Sequence, residues 1–101
     1  ITIKTSARAS AYKIYQYNHR TKKYQIAYQI KGNKLYRYQR SAKKYQKIGT
    51  AKKSGGKITC TLPDIDLKNY RWQRFKAQAC VSKIGFGEQC SKYSAKITIK
   101  R

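Results

Sequence analysis

The fold class is decided by the segment Lys23-Tyr24-Gln25-Ile26-Ala27-Tyr28-Gln29-Ile30. Aromatic or aliphatic side chains occupy every second position, and polar or small side chains stand between them. Because a β-strand projects successive side chains to opposite faces, this period of two predicts a strand with one apolar face running from Tyr24 to Ile30. The residues Lys31-Gly32-Asn33-Lys34 that follow are typical of a turn.

Similar alternation recurs on both sides of this segment, and turn residues such as Pro63-Asp64 and Gly85-Phe86-Gly87 separate the runs. We interpret Thr50–Lys57, which contains two adjacent glycines, as a basic loop, and Leu67–Val81 as a strand in preference to a helix. Seven short strands predict an all-β fold, a seven-stranded antiparallel β-sandwich that occupies residues 1–101 as a single domain. The other alternating runs are Ile1–Ile3, Tyr15–Tyr17, Tyr36–Tyr38, Ile58–Leu62, Phe75–Ala79 and Ile97–Ile99.

The charge balance of the chain is its most unusual property. Sixteen Lys and Arg residues precede the first acidic residue, Asp64, and the formal net charge is +22. A net charge of roughly 2–8 keeps a small domain soluble, and a larger one destabilises the compact state by repulsion. The excess predicts a polyanionic partner, which is nucleic acid, an acidic glycan or wall polymer, an anionic membrane surface or an acidic protein.

Basic residues concentrate in or beside the predicted turns, where long side chains can reach a polyanion. Lysine neutralises phosphate but reads base edges poorly, so we expect binding that does not depend on nucleotide sequence. Tyr38, between two arginines, either stacks on a base or is a half-buried strand residue. The candidate polyanion-binding residues are Lys22, Lys23, Arg37, Arg40, Lys43, Lys44, Lys47, Lys52, Lys53 and Lys57.

Residues suited to catalysis or metal binding are scarce. With three carboxylates and one histidine, His19, in the whole chain, we expect neither an enzymatic activity nor a cofactor. The three cysteines lack the C-x-x-C spacing of a metal site. Cys80 and Cys90 flank a predicted turn, so either they form a disulfide, which indicates an oxidising compartment, or all three cysteines, with Cys60, are reduced and buried. No apolar stretch is long enough to span a membrane.

The C-terminal third resembles a fibronectin type III domain. The segment Leu67–Ala79 has the family's leucine and alternating strand, Ile84–Ser91 is similar to its Gly-x-Gly-x-x-Ser hairpin, and Tyr24–Tyr28 resembles its third strand. The family's corner tyrosine falls on Gln73, and its second-strand tryptophan falls on Tyr17. The resemblance is greatest to the Lys- and Tyr-rich versions of bacterial cell-surface proteins, and it implies a spacer, adhesion or recognition module without catalysis.

Two functional hypotheses follow. The first is a secreted or surface-exposed module that uses Lys-rich loops to hold an anionic polymer or an acidic partner. The second is a structural component of a virion or filament that lies against nucleic acid or acidic subunits. Because the chain begins with Ile1 and not Met, we expect a removed leader or a longer parent chain, and the second hypothesis also predicts homo-assembly.

Overall fold

The structure, a computed structural model, describes residues 2–4, 9–63, 65–83, 85, 87–91 and 96–100. Within these residues every regular element is a β-strand, which confirms the all-β prediction. The described residues contain nine strands, where the sequence predicts seven. They are β1 (Thr2–Lys4), β2 (Ala11–Asn18), β3 (Lys23–Lys31), β4 (Lys34–Gln39), β5 (Lys44–Ser54), β6 (Lys57–Cys60), β7 (Trp72–Lys83), β8 (Gly87–Cys90) and β9 (Ile97–Lys100).

The strands form one curled antiparallel sheet in the order β1-β6-β5-β4-β3-β2-β7-β8. Strand β7 is long enough to pair with two others along the same edge. Its first residues, Trp72–Phe75, pair with β9, and its last, Cys80–Lys83, pair with β8. Strand β5 is similarly divided, since Lys44–Thr50 pairs with β4 and Ala51–Ser54 pairs with β6. This change of partner joins the two halves of the sheet.

Strand β5 occupies a stretch that the sequence did not predict as a strand. The predicted basic loop Thr50–Lys57 is wrong, because β5 continues to Ser54 and only Gly55-Gly56 forms the turn. Ala51 is 5% exposed and pairs with Cys60, and this buried contact holds the segment in the sheet. The other side chains of β5 are exposed or half-buried and mainly polar, so no apolar alternation marks the strand in the sequence.

A β-bulge at Ala27 divides strand β3 into two parts with different orientation. The pairing with β2 shifts by one residue there, and a shift of one residue moves side chains to the other face of a sheet. Tyr28 and Ile30 are therefore buried in the core, at 4% and 0% exposed, whereas Tyr24 and Ile26 lie half-buried on the opposite face. The predicted single apolar face from Tyr24 to Ile30 is wrong for this reason.

The core lies on the inner face of the curled sheet. Phe75, Ile14, Ile30, Leu35 and Ile58 are at most 1% exposed, and they come from five different strands. The loop between β6 and β7 closes one end of this core: the Tyr28 hydroxyl donates to the Pro63 carbonyl at 3.1 Å. We call the face that carries these residues the core face, and the opposite one the outer face.

Candidate polyanion-binding surface

Two tight turns place basic residues at one end of the sheet. Because β2, β3, β4 and β5 are successive antiparallel neighbours, the β2–β3 turn and the β4–β5 turn lie at the same end, which we call the turn end. The first turn is formed by Asn18, whose Oδ1 accepts from the backbone N–H of Arg20 at 2.8 Å and of Thr21 at 3.1 Å. Five predicted residues belong to the turn end: Lys22, Lys23, Arg40, Lys43 and Lys44.

Each of these turns holds a lysine in a left-handed backbone conformation. The φ angle is 60° at Lys22 and 52° at Lys43. This region costs an L-residue with a side chain roughly 1–2 kcal/mol, and glycine occupies it without that cost. Both lysines are exposed, so core packing does not explain them. The chain thus carries a cation at two positions where glycine fits the backbone better.

The remaining predicted residues do not join the turn end. Lys52, Lys53 and Lys57 are exposed around the Gly55-Gly56 turn at the opposite end of the sheet. Arg37 pairs with Tyr28 and shares the core face with it. Lys47 pairs with Tyr36, which directly precedes Arg37 in β4 and therefore lies on the outer face. The ten predicted residues therefore form two terminal groups and two separate mid-strand cations.

The described carboxylates are engaged in local contacts. Asp66 accepts from the backbone N–H of Asn69 at 3.0 Å and of Lys68 at 3.1 Å, and from the side-chain amide of Asn69 at 2.9 Å. These hydrogen bonds, those of Asn69 first, lower the pKa of Asp66. Glu88 forms an ion pair with Lys13 at 2.6 Å, and this hydrogen bond raises the pKa of Lys13. Asp64 lies outside the described residues.

The lysines at the turn end form no ion pair with a carboxylate in the described part of the chain. Lys22, Lys23, Lys43 and Lys44 make no ion pair with a described residue, and all four are exposed. The cations of this end thus face solvent, where their charge remains available to an anion.

A groove runs beside the turn end across β2, β3 and β4, and Gln16, Gln25 and Arg37 of its lining lie on the core face. It consists of three adjoining depressions of about 240, 130 and 500 Å³. Gln16 and Gln25 line both the first and the second depression, and Arg37, Tyr38 and Arg40 line both the second and the third. The shared residues place the three depressions side by side, with amides at the middle and guanidinium groups towards β4.

The other end of the groove is aromatic. Tyr17, His19 and Tyr70 line it, and the rings of His19 and Tyr70 stack at a centroid distance of 4.2 Å and an interplanar angle of 9°. His19 is half-buried, and its Nε2 donates to the Trp72 carbonyl at 3.1 Å. Tyr70 is 39% exposed, so its ring remains accessible to solvent. The aromatic end combines a fixed imidazole with an accessible phenol ring.

Sequence reasoning missed this aromatic end. Its rings belong to β2, the β2–β3 turn and the loop before β7, and no motif links these segments in the chain. They meet because β2 pairs with β7 in a register that sets Gln16 opposite Phe75, which brings Trp72 beside His19. Long-range strand pairing thus brings Tyr70 and Trp72 to Tyr17 and His19.

Rings on the outer face are partly covered by cations. The Arg74 guanidinium carbon lies 4.5 Å from the Trp72 ring centroid, and the Lys76 Nζ lies 4.2 Å from that of Tyr24. These distances are within the range of cation–π attraction. Because cations already occupy the rings of Trp72 and Tyr24, these two are less suited to stacking on a ligand than the exposed ring of Tyr70.

The cysteines have different states. Cys80 and Cys90 face each other across β7 and β8 and are joined by a disulfide, while Cys60 is a buried thiol whose pKa is raised by burial. Cys80, Cys90 and Glu88 lie close enough together for a metal ion, but the disulfide engages both sulfur atoms. A coordinating cysteine must be a thiolate, so this trio does not fit a metal site.

Comparisons with known proteins show no relative of this chain. No protein family, curated protein or solved structure matches it significantly. In the described residues there is no helix with the length and apolar character needed to cross a membrane.

Proposed function

We propose that this protein is a non-enzymatic, secreted or surface-exposed module that binds an anionic polymer or an acidic partner through its turn end. The observation that carries the proposal is the pair of left-handed lysines, Lys22 and Lys43, in adjacent turns without a described counter-ion. Strained backbone at an exposed position is often retained for function. The Cys80–Cys90 disulfide supports an oxidising location.

The fold component of the proposal is an immunoglobulin-like sandwich of the fibronectin type III kind. Its support is the strand order β8-β7-β2-β3-β4, which corresponds to the G-F-C-C′-C″ order of immunoglobulin variable domains, together with the β1–β6 pairing, which corresponds to B–E. In this correspondence β2 takes the place of the family's third strand. The sequence resemblance assigns Tyr24–Tyr28 to that third strand, but the segment lies in β3, the next strand along the chain.

Gln73 also supports this correspondence. The corner tyrosine of such sandwiches donates a hydrogen bond from its side chain to the backbone a few residues upstream. Gln73, which occupies the corresponding position, is 3% exposed, and its Nε2 donates to the Asp66 carbonyl at 2.9 Å. An amide thus makes the type of contact that the phenol makes in the family.

Charge-matched variants test where the polymer binds. We expect the triple change Lys22→Gln, Lys43→Gln and Lys44→Gln to weaken binding to heparin, polyphosphate and duplex DNA, measured by fluorescence anisotropy at low salt. On duplex DNA the log–log salt slope should become shallower by about 0.9 for each phosphate that the variant no longer neutralises. The control changes Lys52, Lys53 and Lys57 to Gln at the opposite end and removes the same charge.

The possible outcomes distinguish binding at the turn end from binding that depends only on the net charge of the protein. Equal weakening by the two triple variants would show that binding reports only the net charge and would contradict the turn end as the site. If the unaltered protein binds no polyanion at low salt, the function itself is wrong. A size that grows with protein concentration would favour the alternative, a structural component of a virion or filament.

A further inference from the structure

The groove beside the turn end offers three kinds of chemistry in a fixed order. Aromatic rings of His19 and Tyr70 stand at one end, the amides of Gln16 and Gln25 at the middle, and the guanidinium of Arg40 towards the other end. Since neighbouring strands lie about 4.8 Å apart, the crossing of β2, β3 and β4 spans roughly 10 Å. A ligand that follows the groove meets a flat apolar surface, then hydrogen-bonding groups, then positive charge.

The aromatic end is built to receive a planar ring. His19 is held by its hydrogen bond to the Trp72 carbonyl and by contacts with the rings of Trp72 and Tyr17, at centroid distances of 4.4 and 5.3 Å. Tyr70 stacks on this fixed imidazole while it stays 39% exposed. A base that stacks on Tyr70 would therefore extend an existing stack, and stacking of this kind accepts any base.

The middle and the far end supply groups for a base edge and for phosphate. Within the described residues the side-chain amide of Gln25 has no hydrogen-bond partner, so its donor and acceptor remain available. Arg40 uses one guanidinium nitrogen, Nη2, to donate to the Ile26 carbonyl at 3.0 Å. That bond orients the planar group and leaves its other N–H donors for a phosphate, which arginine binds in a bidentate manner.

The hydrogen-bonding groups of the groove disfavour an acidic glycan. Sugar hydroxyl groups both donate and accept hydrogen bonds, and a carboxylate is the strongest acceptor that a protein side chain offers to their O–H donors. The one carboxylate that lines the groove in the described part of the chain is Asp66, and its oxygens already accept from Lys68 and Asn69. Rings, amides and guanidinium groups without an available carboxylate match a nucleotide better than a sugar ring.

We propose that this groove binds single-stranded nucleic acid, with a base stacked on Tyr70 and a phosphate held by Arg40. This inference rests on the proposed function, since the lysines of the turn end would attract the same polymer. A single strand is required, because in a duplex the bases are stacked on each other and are not accessible to Tyr70.

The variant Tyr70→Ala tests the stacking step. We expect it to weaken binding of an oligothymidylate of about 12 nucleotides by between about 5- and 150-fold, the range for loss of one base–aromatic stack, as measured by fluorescence anisotropy. Tyr70→Phe should keep the affinity of the unaltered protein, because it keeps the ring. Polyphosphate has no bases, so its affinity should be unchanged in both variants.

A matched control is Tyr45→Ala. Tyr45 is 37% exposed, close to the value for Tyr70, but it lies outside the groove beside Tyr38. We expect Tyr45→Ala to leave oligothymidylate affinity within about twofold, within the scatter of substitutions at positions that make no contact. Circular dichroism of each variant should match that of the unaltered protein, which shows that the sheet is retained.

Other results would overturn the inference in distinguishable ways. Unchanged oligothymidylate affinity in Tyr70→Ala, with polyphosphate still bound, would refute the groove while the proposed function stands. Tighter, Tyr70-dependent binding of heparin than of oligothymidylate would replace nucleic acid by an acidic glycan. No binding of any polyanion at low salt would refute both the inference and the proposed function.

Discussion

Phe75 is the residue on which the core depends most. It is the largest of the fully buried side chains, with 0% of its surface exposed, and it lies in β7, which pairs with β2 and with β8 and β9. Its neighbours on the core face come from several strands, so its ring fills space that no single strand encloses. The free energy of unfolding should therefore respond strongly to its removal.

Replacing Phe75 by Ala should lower the free energy of unfolding by roughly 3–5 kcal/mol, because it removes buried apolar surface and leaves a cavity. Urea denaturation followed by tryptophan fluorescence measures the change, since the one tryptophan, Trp72, lies in the same strand. Phe75→Leu is the control and should cost less, since leucine refills most of the space. A cost near zero for Phe75→Ala would contradict its position in the core.

At the scale of elements, the β7–β8 hairpin is closed by a covalent bond in addition to its backbone hydrogen bonds. Cys80 is fully buried in β7, and Cys90 ends the short, exposed strand β8. The two residues are 10 apart in sequence. A loop of this size contributes roughly 3 kcal/mol in the chain-entropy account of disulfides. The bridge therefore anchors an edge strand that buries little surface of its own.

Intact mass after alkylation should separate the three cysteines. We expect no label on the native protein, because Cys60 is buried and its raised pKa keeps it a thiol. Unfolding without a reductant should expose one thiol, Cys60, and unfolding with a reductant should expose three. Three labels without a reductant would show that Cys80 and Cys90 are not bonded.

At the scale of the whole molecule, the net charge of +22 acts against a compact fold whose radius of gyration is 13.6 Å. The Debye length is about 30 Å at 0.01 M salt, so every cation then repels every other across the molecule, whereas at 1 M it is about 3 Å. Repulsion of this range should lower the free energy of unfolding at low ionic strength.

Raising sodium chloride from about 10 mM to 500 mM should therefore raise the melting temperature, because the Debye length falls below the size of the protein. Polyphosphate added at low salt should also raise the melting temperature, since a ligand that binds the folded state stabilises that state. Differential scanning calorimetry measures both effects. A melting temperature that does not depend on salt would contradict strong repulsion between the surface charges.

The sequence alone was sufficient for the all-β class, because alternation in segments such as Phe75–Ala79 reports directly on the two faces of a strand. It also located the basic turns that contain Lys22 and Lys43, because turn residues favour a turn through their own local backbone conformation. It did not reveal β5, whose exposed polar side chains carry no apolar period.

Only the tertiary structure decided which residues meet. The bulge at Ala27 separates Tyr24 from Tyr28, and the β2–β7 register joins His19 to Tyr70 and Trp72. The bulge arises in the pairing of β2 with β3, and the β2–β7 register joins segments far apart in the chain. A period of two is unchanged by the choice of partner strand or by a shift in register. Local side-chain order therefore determined the kind of fold, and long-range pairing determined the groove.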